Sequence, residues 1–182
     1  MSRRDEVLQA ALDLLDEVGL DALTVRRLAE RLEVRPGALY RHFESKRALL
    51  DAMVAALLAT EQAPPPSDGG WDGLLRWMAT SARAAMLTHR DGARLLITYL
   101  TPGSAVAEEG WNQATESLRP AGLSQAAAQT AVDTLFAYAN GFTMEEQSRD
   151  GFPQPPAQRA RRDRAFEAGL DLIVAGIRAR AA

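Results

Sequence analysis

The 182-residue chain is 47% hydrophobic and 25% charged, with a net charge of −3. That is too apolar for a disordered segment, and the length suits one full core or a small head on a larger body. Cysteine is absent, which excludes disulfides and thiolate chemistry.

Aromatic residues make up only 6%. Alanine and leucine dominate, β-branched runs are few and no hairpin signal stands out, so an all-α fold is expected. Ser2 and Asp5 form a capping box ahead of Val7, Leu8, Ala11, Leu12, Leu15 and Val18, which recur at helical spacing, and Gly19 suits the C-terminal cap. This opening is too charged for a signal peptide, and the apolar run from Ala52 to Thr60 is too short to span a bilayer. A cytoplasmic protein with no membrane partner is expected.

Thr24 is an N-cap for a short second helix with Val25, Leu28, Ala29 and Leu32 turned inward. Glu33 to Arg35 make a tight connection, and Pro36 fits the first position of a third helix running to about Phe43. There Leu39 and Phe43 face the core, which leaves Gly37, Ala38, Tyr40, Arg41 and His42 outward. Ser45 caps a fourth helix with Leu49, Leu50, Met53, Val54, Leu57 and Leu58 on one stripe.

The run Ala63 to Gly70, rich in Pro and Gly, breaks the pattern. It divides the chain into a head over residues 1–47, a linking helix over 48–62 and a body over 63–182. In the body, helices are expected over about Trp71–Thr88, Ala93–Leu100, from Ser104 to the stop at Pro120 and Gly122, from Ser124 to Ser148, and over Ala157–Ala179. The first of these buries Leu74, Leu75, Met78, Ala82, Ala85 and Met86. The last helix carries two apolar stripes: Phe166, Leu170, Ile173 and Ile177, and then Ala165, Ala168, Leu172, Ala175 and Ala179 with Gly169 and Gly176 beside them. The helix from Ser124 has a similar excess in Ala127, Ala128, Ala131, Val132, Leu135, Phe136, Ala139 and Phe142. A surface helix needs one apolar stripe. The second is expected to meet a twofold partner, giving a homodimer through helices near 124–148 and 157–179.

Charge is unevenly spread. From Thr24 to Arg47 there are seven basic residues against three acidic ones, a local +4 on an acidic chain. A two-turn helix, a short turn and a second stubby helix within a basic patch match the docking of a helix-turn-helix in a major groove. The residues LTVRRLAERLEV (23–34), then LYRHF (39–43), then Lys46 with Leu49 and Leu50 resemble the DNA-binding head of the TetR family of repressors. Trp71 to Arg76, Leu87 to Ala93 and Met144 to Gln147 are similar to the body of its tetracycline-repressor branch.

That resemblance implies a DNA operator as partner, with Thr24, Tyr40 and Lys46 at phosphates and Arg26, Pro36, Gly37, Ala38 and His42 at or near base edges; Arg35 and Arg41 complete the expected DNA-binding set. It also implies a small-molecule effector in the body. Candidate contacts are Met78, Ala82, Met86, Leu96, Tyr99, Leu100, Trp111, Thr134, Tyr138, Phe142 and Glu145, with Tyr99, Tyr138 or Glu145 as polar anchors. The branch binds a drug–magnesium complex through histidines, but Leu96 and Ala137 stand at two of those positions, and Met78 and Ala82 where an asparagine and a phenylalanine hold the drug. Only an acidic position survives, as Glu145. A different, mostly apolar and metal-free effector is therefore expected, with no cofactor. His89 with Asp91, or Glu145 with Glu146, makes no catalytic constellation, so an enzyme is not expected. A ligand-independent DNA-binding regulator or architectural protein is the alternative, and it would have a closed body core.

Overall fold

A computed structural model of the chain describes residues 2–59, 64–66, 69–100 and 105–181, and the side chains of 105–107 fall outside that description. Among the described residues every regular element is a helix. They are α1 (Arg3–Val18), α2 (Val25–Arg31), α3 (Pro36–Leu39), α4 (Lys46–Leu58), α5 (Gly70–Met86), α6 (Gly92–Tyr99), α7 (Ala105–Ser117), a 3-10 turn at Arg119–Ala121, α8 (Gln125–Asp150) and α9 (Pro156–Ala181). The expected caps form. The Ser2, Thr24, Ser45 and Ser124 hydroxyls accept from the backbone of Asp5, Arg27, Ala48 and Ala127, and Gly19 leaves α1 at φ 76, where a side chain would be strained. Ser104, expected to open α7, lies outside the described residues, as do residues 60–62 at the end of the expected linking helix and residues 63, 67 and 68 of the expected break.

Two cores divide the fold. The head core gathers Val7, Leu12 and Leu15 of α1, Leu28 of α2, Leu39, Phe43, and Leu50, Met53 and Leu57 of α4. The α4 helix thus packs into the head along its whole length. From the body, Leu95 of α6 is buried in this cluster, and the partly buried Tyr99 and Leu100 pack against it. The body core gathers Leu75 and Met78 of α5, Leu118, Val132 and Leu135 of α8, and Phe166 and Leu170 of α9.

The third helix is shorter than its periodicity suggests. Regular α-helix ends at Leu39. The His42 N–H then bonds Leu39 one residue tight, and the Phe43 N–H bonds the same carbonyl. This tightening swings Phe43 into the core, where it is 5% exposed. The turn before it rests on Glu33 at φ 54, a left-handed conformation that only a few per cent of non-glycine residues adopt.

Polar clamps tie the body. Arg83 of α5 bonds both Glu146 oxygens (2.9 Å each) and Asp163 (2.7 Å). Burial opposes its charge, but the two carboxylates more than offset that and hold the guanidinium protonated. At the far end of α8, Arg162 grips Asp150 at 2.6 and 3.2 Å. That hydrogen bond, above all, holds the buried Asp150 carboxyl below the usual carboxylate range. Its stabilising contribution is fully present above the unfolded pKa, about 3.9, and is lost as pH falls through the lower folded value. Asp150→Asn should therefore be less stable than wild type at neutral pH, with the gap closing in urea titrations taken below about pH 4.

Candidate nucleic-acid interface and body cavity

The α2–turn–α3 unit offers one open face. Leu28 and Ala29 turn inward while Thr24, Arg26 and Arg27 stay exposed. Pro36 starts α3, and Arg35, Pro36, Gly37, Tyr40 and Arg41 are exposed, with Ala38 and His42 half-buried. Tyr40 is 52% exposed, although an aromatic ring of that size usually finds cover. A Cβ added at Gly37 would meet nothing within 4 Å. Packing inside the protein therefore does not require glycine here, whereas a partner whose backbone approaches closely would.

The basic residues of this segment divide by what they touch. Arg31 is tied to Glu17 at 2.7 Å, and Arg47 to Asp51 at 2.8 Å. Arg26 pairs with Glu30 at 2.9 Å, but its side chain is 84% exposed, so that pair is worth no more than about 1 kcal/mol and can yield to a competing anion or base. Among the described residues no carboxylate pairs with Arg35, Arg41 or Lys46, and all three are exposed. Lys46 lies at the first position of α4, where the free N–H groups of the helix start also favour an anion.

Head and body meet at the α5–α6 turn. Asp16 near the end of α1 accepts from the Arg90 N–H (2.8 Å) and faces His89 Nδ1 (2.9 Å), while the Leu20 N–H donates to Asp91 (2.8 Å). Arg94 grips Asp21 at 2.6 and 3.1 Å. Asp91 sits at φ 56. The next residue, Gly92, has no room for a side chain, because an added Cβ would collide with the Met86 carbonyl. Gln147 of α8 holds the same turn from the other side. Its amide donates to the carbonyls of Met86 (3.1 Å) and His89 (2.8 Å) and accepts from the Ala93 N–H (2.9 Å). One short turn is thus bonded both to the head and to α8.

A cavity of about 720 Å3 opens among α4, α5, α6, α7 and α8. Its walls are Leu58, Met78, Ala82, Ala85, Leu96 and Leu100, with Trp77, Trp111, Phe136, Pro64 and Pro65. Ser81, Glu109, Gln113 and Asn140 supply the polar groups. The size falls in the range of drug-sized ligand sites, about 300–1,000 Å3. Among the described residues no group of three or more His, Asp or Glu could hold a metal ion.

The structure places the expected effector residues in two groups. Met78, Ala82, Leu96, Leu100 and Trp111 line the cavity. Met86 is fully buried against Ala93 and Leu96, and Tyr99 packs toward the head beneath Arg47. Tyr138 stacks on Phe166 (5.3 Å) and donates to the Phe166 carbonyl (3.0 Å), passing over Gly169. Phe142 lies edge-on to Phe166, under the Arg83 guanidinium. Thr134 is exposed and donates to Thr130, and Glu145 is exposed and pairs with Arg149 at 3.2 Å. The acid that does turn inward is its neighbour Glu146, through its bond to Arg83. Sequence reasoning missed the aromatic Trp77 and Phe136 and the polar Ser81, Glu109, Gln113 and Asn140 in the lining. The nearest signal was that Trp77 adjoins Met78 and Asn140 lies one turn beyond Phe136.

Residues 7–53 match the family of bacterial regulatory proteins, tetR family, and residues 63–162 match the tetracyclin repressor-like C-terminal domain. The tetracycline repressor protein class A from transposon 1721 of Escherichia coli is 41% identical over 94% of this chain and 88% of that protein. The class C tetracycline repressor of Escherichia coli is 36% identical over 96% and 90%. BioQ with its natural double-stranded DNA operator superposes with a TM-score of 0.80 at 36% identity, covering 98% of this chain and 99% of that one. A TetR variant from Acinetobacter baumannii AYE in complex with minocycline gives 0.82 at 36% identity, covering 100% and 99%. No described helix is long and apolar enough to cross a membrane.

Proposed function

The chain belongs to the TetR family of bacterial regulatory proteins, and from that premise we propose that it is a repressor that grips a pseudo-palindromic operator as a homodimer and lets go when a small, mostly apolar effector fills the body cavity. The observation that carries this reading is the open face of α2 and α3 on a head bonded to a cavity-bearing body. Thr24, Tyr40 and Lys46, with Arg35 and Arg41, take phosphates; Arg26, Pro36, Gly37, Ala38 and His42 meet base edges. The division follows chemistry: a lysine at a helix start suits phosphate, and an arginine fork suits guanine. BioQ with its operator and the TetR variant with minocycline support the two halves of this activity. The head proposed over residues 1–47 is extended by α4, which shares its core.

Release follows from one helix serving two sites. Leu57 of α4 packs in the head core while its neighbour Leu58 lines the cavity. Leu96 and Leu100 line it from α6, whose Leu95 reaches into the head. An occupant that pushes α4 and α6 apart therefore moves the heads. Two heads must stand about 34–36 Å apart to enter successive major grooves, so a small tilt ends the match. A regulator without an effector is disfavoured by the open cavity, since such a protein would fill its core.

Filter binding across a salt series tests the docking. Lys46→Ala should weaken every DNA sequence alike and reduce the salt slope by about 2, one phosphate contact for each head, whereas Arg26→Ala should cost about 1–3 kcal/mol for each half-site and blur the base read there. A Lys46→Ala protein with unchanged affinity and salt slope would overturn this pose.

A further inference from the structure

We propose that the effector is a lipophilic organic cation with a flat aromatic portion, held among Trp77, Trp111 and Phe136 with its positive charge toward Glu109. This rests on the reading of the cavity as the effector site and goes beyond it by assigning the charge and shape of the occupant.

The charge comes first. Among the described residues no lysine, arginine or histidine lines the cavity, and Glu109 is the one ionisable side chain in that lining. Arg83, the buried cation of the described body, is bonded to Glu146 and Asp163 and is not part of the lining. Glu109 is exposed and forms no ion pair among the described residues. An anionic ligand would bring its charge to a site with nothing to neutralise it, at a substantial desolvation cost. A cation meets a free carboxylate at the rim.

The aromatic walls give the same sign. Ring faces are negative and attract cations, tryptophan most strongly. The Trp111 indole N–H is committed to Asp133 at 3.0 Å, so that ring offers the cavity carbon and π surface rather than a donor. Three rings beside Met78 and Leu96 favour a fused planar system over a flexible chain. Gln113 and Asn140 leave room for one or two hydrogen bonds.

Two dyes that share a fused tricycle but carry opposite charge separate the possibilities: rhodamine 6G, a cation, and fluorescein, an anion. Binding is read by fluorescence polarisation with the full-length protein, and release by gel shift on a DNA fragment selected by the protein from a random pool. Rhodamine 6G should bind at least tenfold tighter than fluorescein and release the DNA. Glu109→Gln should weaken rhodamine 6G about 3- to 10-fold, and Trp77→Phe, which keeps a ring, should weaken it less than Trp77→Leu. Glu108→Gln, on the exposed neighbour outside the lining, should leave rhodamine 6G affinity unchanged. Equal or tighter binding of fluorescein, equal losses from the two glutamate variants, or no binding of rhodamine 6G overturns the charge assignment, and the repressor reading survives each of these. Tight, Glu109-dependent binding of rhodamine 6G that leaves the DNA bound would instead overturn the effector role of the cavity.

Discussion

Arg83→Met should lower the stability of the protein by about 3–5 kcal/mol, read as a fall in the urea midpoint at unchanged slope. The Glu146 side chain is 0% exposed and the Arg83 side chain 6%. Methionine fills much of the space but leaves the Glu146 carboxylate buried without a counter-charge. The guanidinium also lies 5.0 Å from the centre of the Phe166 ring and 5.8 Å from that of Phe142, so the substitution removes cation–π contact at the crossing of α5, α8 and α9. The companion variant Arg83→Met/Glu146→Leu should recover most of the loss, because a buried ion pair replaced on both sides by apolar groups is often neutral or better. A single variant that loses less than about 1 kcal/mol would mean that water reaches Glu146. The expectation extends to the cavity, since α5 and α8 both line it: the single variant should bind effector more weakly even where it remains folded.

The head was legible because its signals are local. A capping serine or threonine acts within three residues, and Ser2, Thr24 and Ser45 make the bonds their positions imply, as Ser124 does in the body. The limits of α3 were not, because hydrophobic spacing cannot distinguish an α-helical last turn from a tightened one. Nor do the residue types of Glu33 and Asp91 announce a positive φ; the surrounding bonds impose it. The Arg83–Glu146 clamp had a sequence trace that periodicity discounts: an arginine and a glutamate standing on otherwise apolar faces, beside Ala82 and Phe142 and far apart in the chain. The cavity was the least legible feature. Whether Met78 or Met86 meets empty space depends on how α7 lies across α5, and no spacing within one helix encodes that crossing. Glu145 and Glu146 make the point at single-residue scale: about 100° of helix rotation separates an exposed pair with Arg149 from the buried clamp.

Leu172→Glu should turn the dimer into a monomer at micromolar concentration and abolish tight operator binding, with the protomer still folded. Leu172 is 77% exposed, and Ala165, Ala168, Ala175, Gly176 and Ala179 are exposed beside it along α9. On α8, Ala137, Gly141 and Met144 continue an exposed apolar face, with Met144 at 42%. A single chain gains nothing from such a surface, whereas a twofold mate covers both helices at once and the small residues let them approach closely. Because the contact is isologous, one substitution enters the interface twice and places a buried, unpaired carboxylate on each side. The expected loss is at least about 100-fold in dimer affinity. Operator binding falls further, because the second head no longer benefits from being tethered to the first. Sedimentation velocity reads the mass, circular dichroism confirms the fold, and filter binding reads the DNA. A Leu172→Glu protein that sediments as a dimer and holds its operator would place the twofold axis elsewhere on the molecule.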